Sequence, residues 1–298
     1  MRNRSLQHII PAMSVSDGAG VKIKRSLGLN PQLRFDPFLM LDCFGSEQAD
    51  DYIKGFPAHP HRGFETVTYM LDGHMLHEDH LGNKGHLKSG GVQWMTAGRG
   101  IIHSEMPQQE QGLMRGFQLW LNLPAAEKMK PAAYVDISPQ QIPQVEVATG
   151  VRVKVIAGSF TSDTSTVTGP ITGLSTEPIF YDIRMTAGTE LKVLLPAEHH
   201  AVLYPFAGSV AVKKADNLEQ LKEHHAGLLN QGEHLTLVAN SEVSLILLAG
   251  KPIAEPVVQY GPFVMNSNAE IEQAIRDYQR GELTAGGPAT QIKLNNPA

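Results

Sequence analysis

Short runs of apolar residues recur along the chain, and most of them end at glycine, proline or asparagine. Runs of about four to seven residues bounded in this way are typical of strands in β-sandwiches and barrels. Strands are predicted at residues 66–71, 92–96, 115–121, 151–156, 180–185, 191–195, 202–206, 210–212, 235–238 and 243–248. The pattern therefore predicts an all-β protein.

One segment, residues 267–280, has a helical pattern instead. Ser267 and Glu270 have the spacing of a capping box. Apolar side chains then recur at helical intervals, at Ile271, Ala274, Ile275 and Tyr278. Gly281 supplies a stop signal. We expect a short C-terminal helix packed on a β-domain, followed by a polar tail from Thr284 that frays.

A faint internal repeat indicates two copies of one β-fold. Residues 66–73 align with residues 201–208, and residues 90–96 align with residues 232–238. The 298 residues suit two domains of about 150 residues each. Prolines at 131, 139 and 143 interrupt the strand pattern between the copies. We therefore predict an N-terminal domain over residues 1–138 and a C-terminal domain, with the helix, over residues 139–298.

Charge and cysteine content exclude several classes of protein. The net charge is −5, and lysine and arginine are not clustered as a nucleic-acid-binding surface requires. No apolar stretch reaches 18 residues, so the sequence predicts no membrane-spanning helix. The one cysteine, Cys43, rules out a disulfide within the chain and favours a reducing compartment. We expect a cytoplasmic protein in which Cys43 is a small buried apolar side chain.

Two histidine motifs carry the candidate chemistry. His59-Pro-His61 and His103-Ser-Glu105 have the same spacing, and residues two apart in a strand point to the same face. If the two strands face each other, three imidazoles and one carboxylate converge. Such a set suits iron(II), manganese, nickel, copper or zinc, and a six-coordinate ion would keep about two positions open. Gly98 and Gly100 allow a tight turn into the second motif.

Other histidines and one glutamate fit simpler interpretations. His74, His77, His80 and His86 lie among glycines, as solvated hairpin residues do. The pairs His199-His200 and His224-His225 are expected at the surface. Glu65 follows His61 by four residues and is expected behind the metal ligands, where it would orient a ligand or Arg62.

The sequence resembles the pirin family of the cupin superfamily over nearly its whole length. The matching segments are residues 36–42, 55–70, 90–105 and 261–266, and the helix that follows them. Gly91 and Cys43 depart from the family pattern at positions that are not ligands. The resemblance implies a bicupin, that is two cupin-type β-barrels, with one iron in the N-terminal barrel on His59, His61, His103 and Glu105. Iron(II) is the expected ion.

The same resemblance implies quercetin 2,3-dioxygenase activity, with a small aromatic substrate and dioxygen. Glu105 would take the proton of the substrate hydroxyl. Phe56, Met70, Trp94 and Phe117 are candidates for apolar pocket walls. A second hypothesis is an iron-dependent regulator that binds a metabolic enzyme or a transcription factor. A third, a zinc-dependent isomerase of the cupin type, is disfavoured by the apolar residues around the ligands.

The second copy is expected to hold no metal. The repeat places Leu194 and Pro196 at the positions of the first histidine motif, and Leu245 and Leu247 at those of the second. None of these side chains can donate to a metal.

Overall fold

The structure is a computed structural model that describes residues 2–30, 34–162, 165–215, 217–285 and 290–295. Its strands are β1 (Leu6–Pro11), β2 (Met13–Asp17), β3 (Val21–Leu27), β4 (Phe38–Ser46), β5 (Phe56–His61), β6 (Phe64–Asp72), β7 (His74–Asp79), β8 (Lys84–Lys88), β9 (Val92–Thr96), β10 (Ile101–Pro107), β11 (Met114–Asn122), β12 (Ala133–Ile137), β13 (Gln144–Ala148), β14 (Val151–Ala157), β15 (Ser159–Thr161), β16 (Thr166–Thr168), β17 (Ile179–Met185), β18 (Glu190–Leu194), β19 (His200–Ala207), β20 (Val210–Lys214), β21 (Asn217–Leu221), β22 (His225–Leu229), β23 (His234–Ala239), β24 (Val243–Gly250), β25 (Val258–Tyr260), β26 (Phe263–Met265) and β27 (Thr290–Gln291). Within the described residues, 3-10 turns occur at Ala49–Asp51, Ala125–Glu127 and Pro139–Gln141, and the helix α1 is Asn268–Gln279.

The predicted all-β class is confirmed, because each predicted run lies within a strand to within one residue. The helix is confirmed too. The Ser267 hydroxyl accepts a hydrogen bond from the Glu270 amide at its start, and Gly281 follows its end with a φ of 71°. No helix of the described residues is long and apolar enough to cross a membrane.

Each half of the chain pairs one large sheet with one small sheet. In the first half the large sheet has the order β2-β3-β4-β11-β6-β9-β12-β27, and the small one has β5-β10-β7-β8. In the second half the orders are β1-β22-β19-β24-β17-β14-β13 and β18-β23-β20-β21. The strands β4 to β11 thus correspond one by one to β17 to β24, as a duplication requires.

The two ends of the chain cross over to the opposite halves. The first strand, β1, pairs with β22 in the second half. The last strand, β27, pairs with β12 in the first half, so part of the tail that we expected to fray is ordered. Residues 286–289 and 296–298 of that tail lie outside the described residues. The division of the chain near residue 138 stays a prediction, and the sheets show that neither side of it is complete without the other.

The outer faces of the two large sheets pack against each other. One apolar cluster joins buried residues of both halves, including Val67, Phe117 and Tyr204. The Tyr69 hydroxyl donates a 2.6 Å hydrogen bond to Asp182 across this contact. Successive residues of each strand point to opposite faces of the sheet, so one faces this contact and the next faces the interior of its own half.

This contact corrects two expectations for the cavity. Trp94 and Phe117 lie fully buried between the two halves, not in a pocket wall. Phe117 packs edge-on against Tyr204 and Phe206, at centroid distances of 5.8 and 5.3 Å. The sequence shows that these side chains are apolar but not which face of the sheet they occupy. Cys43 is buried in the same cluster, as expected.

The strand pairing also corrects the alignment of the repeat. The counterpart of β9 is β22, and that of β10 is β23, so residues 90–96 do not correspond to residues 232–238. His59 lies opposite His103, just as Val193 lies opposite Leu235. Glu105 lies opposite His77, just as Leu237 lies opposite Val212.

The true counterparts of the four candidate ligands are therefore Val193, Leu195, Leu235 and Leu237, all at most 4% exposed. Leu194, which the sequence alignment placed inside, is 54% exposed. Leu245 and Leu247 are buried, but they lie on β24. The positions equivalent to the candidate ligands are therefore apolar in the second half, as expected, but they are not the residues that the sequence alignment gave.

We predict that Phe117→Ala lowers the free energy of unfolding by about 3–5 kcal/mol, because it leaves a cavity between the two halves. Leu194→Ala is the matched control and should change it by less than about 0.5 kcal/mol. Urea unfolding measures both. A larger loss for Leu194→Ala than for Phe117→Ala would contradict the assignment of faces.

Candidate metal centre

Antiparallel strands β5 and β10 bring the two histidine motifs together. His103 lies opposite His59, and Ile101 lies opposite His61. Since residues two apart share a face, His59 and His61 both point toward His103. Ligand atoms of the three histidines lie within 4.8 Å of one another. The structure therefore assembles three of the four predicted metal-site residues into one group.

The nitrogen positions in this group suit a metal ion. His59 Nε2 and His61 Nε2 are 2.9 Å apart. Two nitrogens at right angles, each about 2.1 Å from an ion, would be about 3 Å apart. His103 Nε2 is buried and has no hydrogen-bond partner among the described residues. A buried nitrogen without a partner is costly, and a metal bond would remove that cost.

Burial also keeps two of these imidazoles, those of His61 and His103, neutral. Desolvation holds the pKa of His61 well below its usual value, and the neighbouring His59 adds to the effect. Desolvation lowers the pKa of His103 in the same way. A neutral imidazole has a free lone pair, which is the form that binds metals.

His77 is buried, so its assignment to a solvated hairpin was wrong. Only 2% of it is exposed, and its Nε2 lies 2.7 Å from His103 Nδ1. If His103 Nε2 binds the metal, His103 Nδ1 carries the proton and donates it to His77. Met75, His77 and Asp79 alternate with less buried residues in β7, but the sequence of this strand has no apolar alternation that indicates it.

The other histidines gave mixed outcomes. His80 and His86 are exposed, as expected, and His74 is half-buried beside His86. His199 is buried, with 1% exposed, so its expected surface position was wrong. His200, His224 and His225 are half-buried.

Glu105 is buried beside the three histidines but is not one of their group. Its Oε1 lies 3.0 Å from the Thr68 hydroxyl, which can donate to it. Strand β5 carries one extra residue between the partners of His103 and Glu105, and this irregularity offsets the second motif from the first. Glu105, His59 and His61 line the same cavity.

Glu65 faces away from the ligands, contrary to expectation. Gly63, with a φ of 90°, separates β5 from β6, so the two strands do not continue one pleat. The Glu65 carboxylate accepts hydrogen bonds from Thr96 Oγ1 at 2.6 Å and Trp94 Nε1 at 3.3 Å. Burial raises its pKa. Arg62, which Glu65 was expected to orient, has other partners.

Two buried cations fix the C-terminal segment to the end of the ligand strand. Arg62, directly after His61, donates a 2.7 Å hydrogen bond to Asp277 of α1. Lys128 donates to the carbonyl oxygens of Gly63 and Val264 at 2.7 and 3.0 Å. Burial lowers the pKa of Lys128 to about 8. These contacts join residues far apart in sequence, and no local pattern indicates them.

A cavity of about 540 Å³ opens beside the histidines. Apolar walls come from Ile23, Leu39, Met40, Phe44, Phe56, Met75 and Trp120. Of the wall residues expected from the sequence, Phe56 is confirmed, and Met70 lies in the apolar cluster next to the cavity. Polar lining comes from Asp17, Arg25, Asp42, Thr68, Gln118 and Gln259. Burial raises the pKa of Asp42 to about 6, although Arg25 opposes this effect.

Comparison with known proteins agrees with this architecture. The family model Pirin matches residues 20–121, and the model Pirin C-terminal cupin domain matches residues 180–284. Each half is thus a cupin domain, and the molecule is a two-domain cupin protein. The chain belongs to the pirin family.

Relatives match over nearly the full length. A Pseudomonas aeruginosa protein named "Putative quercetin 2,3-dioxygenase" is 52% identical over 95% of this chain and 99% of its own. A pirin-like protein of Caulobacter vibrioides is 45% identical over 94% of this chain and 99% of its own. The crystal structure of a quercetin 2,3-dioxygenase from Acinetobacter baumannii has a TM-score of 0.86 and 31% identity, over 95% of this chain and 99% of that one.

We predict that His77→Ala weakens iron(II) binding at the three-histidine group by about 10–100-fold, because His103 loses the partner that fixes its tautomer. His86→Ala, on the same hairpin but exposed, is the matched control. Competition with a chelator measures both affinities. Equal affinities for the two variants would show that His77 does not support the site.

Proposed function

We propose that this protein is a metal-dependent dioxygenase for flavonol-like aromatic substrates such as quercetin, with iron(II) as the expected metal. The main support is the three-histidine group with its unpaired His103 Nε2, placed beside a largely apolar cavity that also holds Glu105. The names of the full-length relatives support the choice of substrate.

His59, His61 and His103 would hold the metal, and Glu105 is the proposed fourth ligand. Manganese, nickel, copper or zinc would suit the same donors. When bound, the metal lowers the pKa of a substrate hydroxyl and promotes reaction with dioxygen. The apolar walls exclude water from the aromatic rings and keep the substrate in one plane.

Glu105 is the proposed base. Its carboxylate lies on the cavity side of β10, where it can accept the proton of the flavonol 3-hydroxyl. The Thr68 hydroxyl holds Oε1 and leaves the other carboxylate oxygen for this proton. Both atoms of dioxygen would enter the product, the central ring would open, and carbon monoxide would leave.

We predict one metal ion per chain, held by the N-terminal cupin domain. His61→Ala should empty the site, because it removes a direct ligand, whereas His225→Ala should leave the metal content unchanged. Elemental analysis of anaerobically purified protein measures this. Two ions per wild-type chain, both lost in His61→Ala, would contradict a single site.

We predict that Glu105→Gln keeps some metal and loses about 10²–10⁴-fold in quercetin turnover, because an amide cannot accept the proton. Glu65→Gln is the matched control, since it is buried but bonded to Trp94 and Thr96. It should keep both iron and turnover.

Quercetin consumption and carbon monoxide release are measured at equal iron loading, because high iron can fill a weakened site. Normal turnover in iron-loaded Glu105→Gln would remove Glu105 from the role of base. An iron-loaded wild type that turns over no flavonol would contradict the proposed dioxygenase and favour a regulatory role.

A further inference from the structure

A row of polar side chains crosses the inner face of the large N-terminal sheet. Strand pairing places Arg25 of β3 beside Asp42 of β4, Asp42 beside Gln118 of β11, and Gln118 beside Thr68 of β6. All four line the cavity. We call these four residues the polar row. They are unusual on an inner face that is otherwise largely apolar, and nothing in the proposed chemistry requires Arg25, Asp42 or Gln118.

Hydrogen bonds connect the polar row to the proposed base. The Thr68 hydroxyl lies 2.6 Å from Gln118 Oε1 and 3.0 Å from Glu105 Oε1. At the other end, the Arg25 guanidinium donates two hydrogen bonds to the Asp42 carboxylate. The Nε–Oδ1 distance is 2.8 Å and the Nη2–Oδ2 distance is 2.7 Å. The row therefore runs from Glu105 to a charged pair on the opposite side of the cavity.

The charged pair still has binding capacity. Arg25 Nη2 also reaches Asp17 Oδ2 at 2.6 Å, but Nη1 has no partner among the described residues. Among the described residues that line the cavity, Arg25 is the only lysine or arginine, against three carboxylates, Asp17, Asp42 and Glu105. At the end of the row remote from the histidines, Asp17 and Asp42 outnumber Arg25, so this end disfavours an anionic group and offers acceptors to O–H groups.

The dimensions suit an extended aromatic molecule. Three intervals between neighbouring strands, each about 4.8 Å, separate Arg25 from Thr68, so the row spans about 14 Å. The reacting hydroxyl of a flavonol is on the central ring, so with that hydroxyl at the Glu105 end an outer ring extends along the row toward Asp42 and Arg25. Phe44, Phe56 and Trp120 supply apolar surface for the ring faces.

We propose that Arg25, Asp42 and Gln118 determine substrate specificity by binding hydroxyl and carbonyl oxygens remote from the reacting hydroxyl. The inference rests on the proposed function and specifies its substrate class: neutral, polyhydroxylated aromatic molecules rather than aromatic carboxylates. Asp42 and Asp17 accept from phenolic O–H groups, and Arg25 donates to a carbonyl or phenolic oxygen. Hydrogen bonds to charged groups give this subsite its selectivity.

Two probes test the subsite directly. Quercetin carries hydroxyls on its outer rings, whereas 3-hydroxyflavone keeps the same skeleton and the reacting hydroxyl but lacks the outer ones. Anaerobic titration of the iron-loaded holoprotein gives a Kd for each without turnover. We expect wild type to bind quercetin about tenfold or more tightly than 3-hydroxyflavone, as one or two hydrogen bonds to charged groups allow.

The variant Arg25→Gln with Asp42→Asn neutralises the pair without leaving a lone buried charge. We expect its Kd ratio for the two probes to fall toward one, chiefly through weaker quercetin binding, at unchanged iron content. Asp17→Asn, on a half-exposed side chain that tolerates change, should reduce the ratio partially. Lys22→Gln, on the same strand but outside the cavity, is the control and should keep the wild-type ratio.

The outcomes separate the two proposals. A wild type that discriminates between the probes but turns over neither would retain the subsite and reject the dioxygenase. A wild type that binds both probes equally, or binds neither, would overturn the subsite whatever its turnover. If the double variant bound both probes more weakly by the same factor, and Asp17→Asn kept the wild-type Kd ratio, the pair would only support the fold.

Discussion

The central strands of each large sheet bury both of their faces, and the rest of the structure depends on this constraint. One face covers the interior of its own cupin domain, and the other packs on the large sheet of the second domain. In β6, Val67 and Tyr69 face the other domain, while Thr68 and Met70 face inward. A shift of one residue would reverse both sets. The contact between domains therefore holds Thr68 beside Glu105 and places the polar row inside the cavity.

The exchange of chain segments makes the candidate metal centre depend on both halves. Residues 259, 261 and 262 line the cavity of the first domain, although they belong to the C-terminal half of the sequence. Phe263 pairs with Arg62, directly after His61, and α1 bonds to Arg62 through Asp277. The second domain has apolar side chains where the first has its candidate ligands. Its contribution to the site is thus mechanical: it supports the sheet from behind and supplies the segment that covers one end.

Sequence reasoning found the features that depend on local spacing. Periodicity within a few residues indicates the strand runs, the capped helix and the pairs His59–His61 and His103–Glu105.

Sequence reasoning failed where the face that a side chain occupies depends on a partner far away in the sequence. Trp94 and Phe117 could equally have lined the cavity, and only the contact between domains decides their direction. The second segment of the repeat, residues 90–96, was aligned one strand out of step because the apolar runs are alike. His77 was expected to be solvated because its segment is interrupted by glycines, whereas its burial comes from pairing with β10.

A crystal structure of iron-loaded protein, grown without oxygen and measured at the iron absorption edge, tests the metal site most directly. We predict one anomalous peak per chain, bonded to Nε2 of His59, His61 and His103 and to a carboxylate oxygen of Glu105. A peak in the second domain would contradict this site, and so would iron bound by His77 in place of His103. Iron held by the three histidines, with neither carboxylate oxygen of Glu105 bonded to it, would retain the metal and refute the fourth ligand.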